Sequence, residues 1–243
     1  MRKWILGAAA VAGIVAAGSA FSLPLTIGDQ VNVGNANGTV FTPSPDPNGL
    51  FTNVAFTLNG GVSLSASAGM FVLDYRHVSP SPTTTWTQFL TFCLEPDVYL
   101  TSYSNPYSVQ AVGGAGNMYT DPNGYISELW ARYHGSVVSD VTAAAFQVAL
   151  WELAYGSTNR SLSSGDFVLT SNGSVFNTAQ AWLSSLTGEG PRAEGLVVLV
   201  DNQRDTYDRQ DLITQVSVPE PATIGLLGLG LLGIGLTRRR RRI

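Results

Sequence analysis

The last 26 residues constrain the fold of this chain most, because they remove themselves from it. Val218-Pro219-Glu220-Pro221 is followed by an apolar run from Ala222 to Leu236 and then by Arg238, Arg239, Arg240, Arg241 and Arg242. Pro219 and Pro221 hold the first part extended and keep a helix from starting there. The run 222–236 is expected to be a transmembrane helix. It is roughly 22 Å long against a hydrocarbon core of about 30 Å, a gap that flanking residues and snorkelling arginines close. Five arginines beyond the run stop transfer and leave that end in the cytoplasm. The other end matches this plan. Arg2 and Lys3 precede an apolar stretch from Trp4 to Ala17, and Gly18-Ser19-Ala20 offers small residues for cleavage before Phe21. Residues 1–20 read as a signal peptide, 21–217 as an exported domain and 218–243 as a sorting signal.

The exported part is long enough for one sizeable core and shows no internal boundary. From Phe21 to Pro221 it keeps 6 basic and 17 acidic residues, a net charge of −11. Such a surface argues against nucleic acid as a partner. Two histidines and one cysteine cannot build a zinc site of the common kinds, so neither a metal nor a cofactor is expected. Asp201, Asp205, Asp208 and Asp211 fit no EF-hand spacing and read as a solvated turn between two strands. Lys3 is the only lysine, and it leaves with the signal peptide.

Periodicity divides the domain into three zones. Asn53–Leu58, Gly69–Tyr75 and Trp86–Leu94 are rich in aromatic and β-branched residues and are punctuated by Asn59-Gly60-Gly61 and Ser79-Pro80-Ser81-Pro82. Helices are expected from Tyr125 to Gly135, from Val141 to Tyr155 behind a Ser139 or Asp140 cap, and over about Asn177–Leu186. Strands return over Gly195–Val200 and Asp211–Val218. The expected class is α+β: a mainly antiparallel β-sandwich or barrel framework with a helical insertion of about three helices.

Two residues in this layout call for an account. Cys93 is the only cysteine of an exported chain, so it is buried and inert, reactive, or paired between chains. Gln147 lies on the second helix with Ala143, Ala144, Leu150 and Trp151 as its i±3 and i±4 neighbours. A carboxamide there is buried and needs partners. A core glutamine satisfied by backbone groups is one account of it.

Resemblance supplies another. The tail is similar throughout to the PEP-CTERM signal. That likeness implies recognition near Pro219, Glu220 and Pro221 by an exosortase, a sorting protease of the inner membrane. It further implies a membrane-anchored precursor and then a place on the cell surface or in a biofilm matrix of polysaccharide. Phe146-Gln147-Val148-Ala149-Leu150-Trp151 resembles the glutamine motif of bacterial thioester domains, and Phe92-Cys93-Leu94 resembles their cysteine motif. The likeness covers about residues 71–216. It implies a Cys93–Gln147 thioester, shielded from water by Phe92, Phe146 and Trp151, and an adhesion module that captures an amine-bearing surface ligand. Such a module turns over once and is not an enzyme. A lysine-free surface would spare it from capturing itself. Two other readings stand beside this one. The first is a structural matrix protein with a free thiol. The second is a cysteine hydrolase using His77 or His134.

Overall fold

The computed structural model describes residues 24–34, 49–61, 63–100, 106–113, 121–155, 159–171, 173–201 and 209–216. The signal peptide 1–20, the apolar run 222–236, the sorting motif with its arginines, and Asp205 and Asp208 lie outside the described residues. Among the described residues no helix is long and apolar enough to cross a membrane.

Eight strands are described, and every pairing between them is antiparallel. They are β1 (Gln30–Gly34), β2 (Leu50–Leu58), β3 (Ser63–Ser79), β4 (Thr87–Cys93), β5 (Tyr107–Ala111), β6 (Phe167–Leu169), β7 (Leu196–Asp201) and β8 (Leu212–Gln215). Six of them close a ring in the order β1-β5-β7-β8-β4-β3, with the β1–β3 pairing as the seam. Of the two alternatives, sandwich or barrel, the chain takes the barrel. Closure removes exposed edges from these six strands.

The long strand β3 serves two sheets. From Phe71 onward it pairs with β4 and then β1, while Ser63–Met70 pairs with β2, which carries the short β6 at its outer edge. Strands β2 and β3 are joined by a tight turn. Asn59 and Gly60 both have positive φ, 51° and 67°, and Gly61 donates its N–H to Leu58 at 2.8 Å. Asn-Gly meets the conformational demand of such a turn at little cost.

Alternation along the strands builds two cores. Val197 and Leu199 of β7 face the barrel interior with Val31, Leu73, Tyr107 and Leu212. Val198 and Val200 face outward, with Phe56, Phe92 and Ile213, toward the helices. Both faces of β7 are covered, so its sequence Leu-Val-Val-Leu-Val is apolar without a break.

The helices are α1 (Tyr125–Tyr133), α2 (Asp140–Tyr155) and α3 (Gly173–Ser185), with a single 3₁₀ turn at His134–Ser136 after α1. Strand β6 interrupts the helical insertion between α2 and α3. At the start of α2 the Thr142 hydroxyl accepts the Ser139 N–H at 3.0 Å, and the Ser139 hydroxyl accepts the Thr142 N–H at 3.3 Å. That reciprocal cap fixes where the helix begins. From Ala143 to Glu152 every residue of α2 is buried. It lies on β2 and β3 and is covered by α3, which presents Val175, Ala179 and Leu183 at a spacing of four. Strands β1, β5 and β6 were not anticipated from the sequence.

Candidate functional site

Strand β4 ends at Cys93, where its neighbour changes. The β3–β4 register pairs Phe71 with Thr91, and its continuation would set Gly69 opposite Cys93. Strand β3 has left by then, because Gly69 already pairs with Phe51 of β2. The approach is so close that a side chain at Gly69 would strike the backbone of Leu50 and Phe51. On the other side β8 stays in place, with Phe92 opposite Ile213 and the Leu94 N–H donating to Asp211 at 2.9 Å. Backbone groups alternate sides along a strand, so the Cys93 N–H and C=O point to the side that β3 vacated.

Gln147 fills that place. Its Oε1 accepts the Cys93 N–H at 2.9 Å, and its Nε2 donates to the Cys93 carbonyl at 2.5 Å. The carboxamide thus stands in for a missing ladder partner and satisfies two buried backbone groups. Both residues are sealed from solvent, Gln147 at 0 % and Cys93 at 2 % exposure. The fold therefore brings together the two residues that the motifs singled out.

The faces of β4 sort the remaining side chains. Phe92 and Leu94 join the helix-side core, whereas the Cys93 side chain joins the barrel interior. Phe92 lies 4.7 Å from Phe146 between ring centroids, and Trp130 packs edge-on against both. Phe92 and Phe146 thus wall the helix side of the carboxamide. Trp151 sits one turn further along α2, and its rings meet Phe56 and Phe167 on the β2–β6 side.

Glu95 follows Cys93 by two residues and is buried. Its Oε2 accepts the Asp211 N–H at 2.7 Å, and its backbone carbonyl accepts from Gln210 Nε2. Burial pushes the Cys93 thiol far above its ordinary range, and the Glu95 charge adds to the effect. The thiol is therefore protonated at neutral pH, and any reaction at sulfur needs a proton acceptor. Behind Glu95, the Arg209 guanidinium pairs with Asp201 at 2.7 Å and lies over the Tyr107 ring. The Asp201 N–H donates to Asp211 at 2.7 Å. Asp201 and Asp211 are buried, which corrects the expectation of a solvated turn. Arg209 neutralises one carboxylate within the same turn, and backbone donors hold the others.

Of the two histidines, His77 lies apart from this arrangement, and His134 packs on its aromatic wall, 6.2 Å from Phe92 and 5.9 Å from Phe146 between ring centroids. His77 stands beyond the Thr87 end of β4, roughly 26 Å along the strand from Cys93, with Nδ1 3.4 Å from Asp29. His134 stacks on Trp130 at 4.7 Å, on the helix side of β4, where burial holds it below its ordinary pKa.

Sequence reasoning missed Glu95, Arg209 and Gln210. Glu95 stands beyond the end of β4, where the chain bends at Leu94 and strand alternation no longer applies.

Comparison with known proteins bears on the tail alone. The PEP-CTERM protein-sorting motif matches residues 217–242. No curated protein and no solved structure matches the chain. The chain is thus an exported protein with a sorting signal for an exosortase-type membrane enzyme. Its precursor is anchored in the membrane, and its product is at the cell surface.

Proposed function

We propose that the exported domain is a surface-held binding or adhesion module that captures primary amines through a Cys93–Gln147 thioester. The observation that carries this reading is the pair of hydrogen bonds between the Gln147 carboxamide and the Cys93 backbone. The bond from the Cys93 N–H polarises the carbonyl and would hold the developing oxyanion during attack. The cysteine sulfur adds to the carbonyl carbon, the carbon–nitrogen bond breaks, and ammonia leaves with the thiol proton. An incoming amine later attacks the same carbon, forms an amide and returns the thiol. The aromatic wall excludes water and so protects the acyl bond. The ligand is an amine-bearing surface molecule. Each domain reacts once, so this is not enzymatic turnover.

A second reading has its own support. The carboxamide is fully bonded and the thiol is neutral, which suits a matrix-building protein associated with extracellular polysaccharide, in which Gln147 only completes the ladder.

Mass separates the two. Protein purified from membranes, with its tail in place, should be about 17 Da lighter than its processed sequence, because the bond expels one ammonia. Methylamine should then add to Gln147 and expose one thiol. A mass equal to the sequence together with a titratable Cys93 selects the matrix reading.

A further inference from the structure

We infer that Glu95 carries the proton for the acyl chemistry at Cys93; this rests on the thioester reading above. Placement is the first argument. Strand β4 ends at Cys93, whose side chain faces the barrel interior, and the chain bends at Leu94 to set the buried Glu95 beside the start of β8. The Glu95 carboxylate is fixed there by the Asp211 N–H at 2.7 Å, and Asp211 precedes Leu212, the residue paired with Cys93. Glu95 is only 2 % exposed, so no bulk water competes with it for the proton.

Necessity is the second argument. The sealed thiol has to lose a proton before its sulfur can bond to carbon, and the amide nitrogen has to gain one before it leaves. Glu95 takes the proton from sulfur as the sulfur–carbon bond forms. It returns that proton to nitrogen as the carbon–nitrogen bond breaks, and neutral ammonia departs. In amine capture the order reverses: Glu95 takes a proton from the attacking amine and hands it to the departing sulfur. The carboxylate ends each passage as it began. His77 stands at the far end of β4, and His134 packs on Phe92 in the helix-side core, across β4 from the Cys93 side chain in the barrel interior.

The role predicts a direction opposite to that of charge alone. The Glu95 charge opposes thiol ionisation. If its charge were its whole influence, Glu95→Gln would leave a more easily ionised thiol and faster bond formation. A proton carrier predicts slower chemistry.

The test uses the full chain purified from membranes, with methylamine as the probe. Wild type should show the ammonia deficit and take up methylamine at a rate that rises with pH. Glu95→Gln keeps an oxygen for the Asp211 N–H. It should capture methylamine about 100-fold more slowly, with a smaller cross-linked fraction and a flattened pH profile. Glu95→Asp should recover part of the rate. A Glu95→Gln protein that matches wild type within twofold, or reacts faster, overturns the inference while leaving the thioester reading intact. Should Glu95→Gln fail to fold, Glu95→Asp decides: a wild-type rate overturns the role and a slowed one supports it. A wild-type mass without the deficit overturns both readings together.

Discussion

Gln147 and Glu152 sit five residues apart on α2, at 0 % and 1 % exposure, and their surroundings treat them in opposite ways. Gln147 has a partner for both ends of its carboxamide. Among the described residues neither carboxyl oxygen of Glu152 has a hydrogen-bond partner. The Ser161 N–H, which pulls weakly on Glu152, is already donated to Asn159 at 3.1 Å. Burial, joined by the Asp166 charge, raises the Glu152 pKa to about 8, so this side chain enters the core as a neutral acid. Polarity inside a core is thus tolerated in two ways. A group can be matched by partners, or it can shed its charge. Only the first also ties two elements together.

Breaking the matched site should have the larger effect. Gln147→Leu keeps the volume but leaves the Cys93 N–H and C=O buried without partners. Urea unfolding should show a loss of about 2–5 kcal/mol. Cys93→Ala spares both hydrogen bonds, since they use only the backbone. Without a thioester it should cost clearly less than Gln147→Leu. With one, both variants release a cross-link spanning 54 residues, so Cys93→Ala should itself cost about 4 kcal/mol instead of little.

The unmatched site should respond to pH. The Glu152 pKa in the folded state lies above its unfolded value near 4.5, so between these values the native state binds more protons. Its stability contribution is therefore greatest below pH 4.5 and falls as pH rises toward about 8. The total loss is at most about 5 kcal/mol. Glu152→Gln should flatten that part of the profile, its gain growing from about pH 4.5 and complete near pH 8. An unchanged profile would mean that Glu152 finds a partner on ionising. The smallest effect supplies the baseline. Thr142→Ala removes the cap at the start of α2 and should cost about 1 kcal/mol, equally at every pH.

The sequence disclosed α2 and its neighbours well, for a physical reason. Helix periodicity, the Ser139–Thr142 cap and the isolated polarity of Gln147 are all local signals. The hairpin at Asn59-Gly60 is equally local. The seam of the barrel is not. Gln30–Gly34 meets Asp74–Ser79 across more than forty residues, and neither stretch announces its partner. Strands β5 and β6 are too short to carry a clear alternation. Asp201 and Asp211 read as solvated because charge usually means water. The donor that covers Asp201 came from its own turn, but Glu95 arrives from 116 residues away. The carboxamide of Gln147 was legible as a buried group needing partners, whereas the vacancy it fills appears only when β3 diverges from β4.

The exit of the chain from β8 sets a limit on clearance. Strand β8 ends at Gln215, and the sorting motif begins at residue 217. From Gln215 to Pro219 there are four residues, at most about 14 Å of extended chain. Strand β8 is held on both sides, by β7 and β4. The folded barrel is therefore tethered within about 14 Å of Pro219 in the sorting motif. An exosortase-type enzyme that reads this motif works beside a folded barrel. Its access depends on the shape of the barrel end as much as on the three letters it reads.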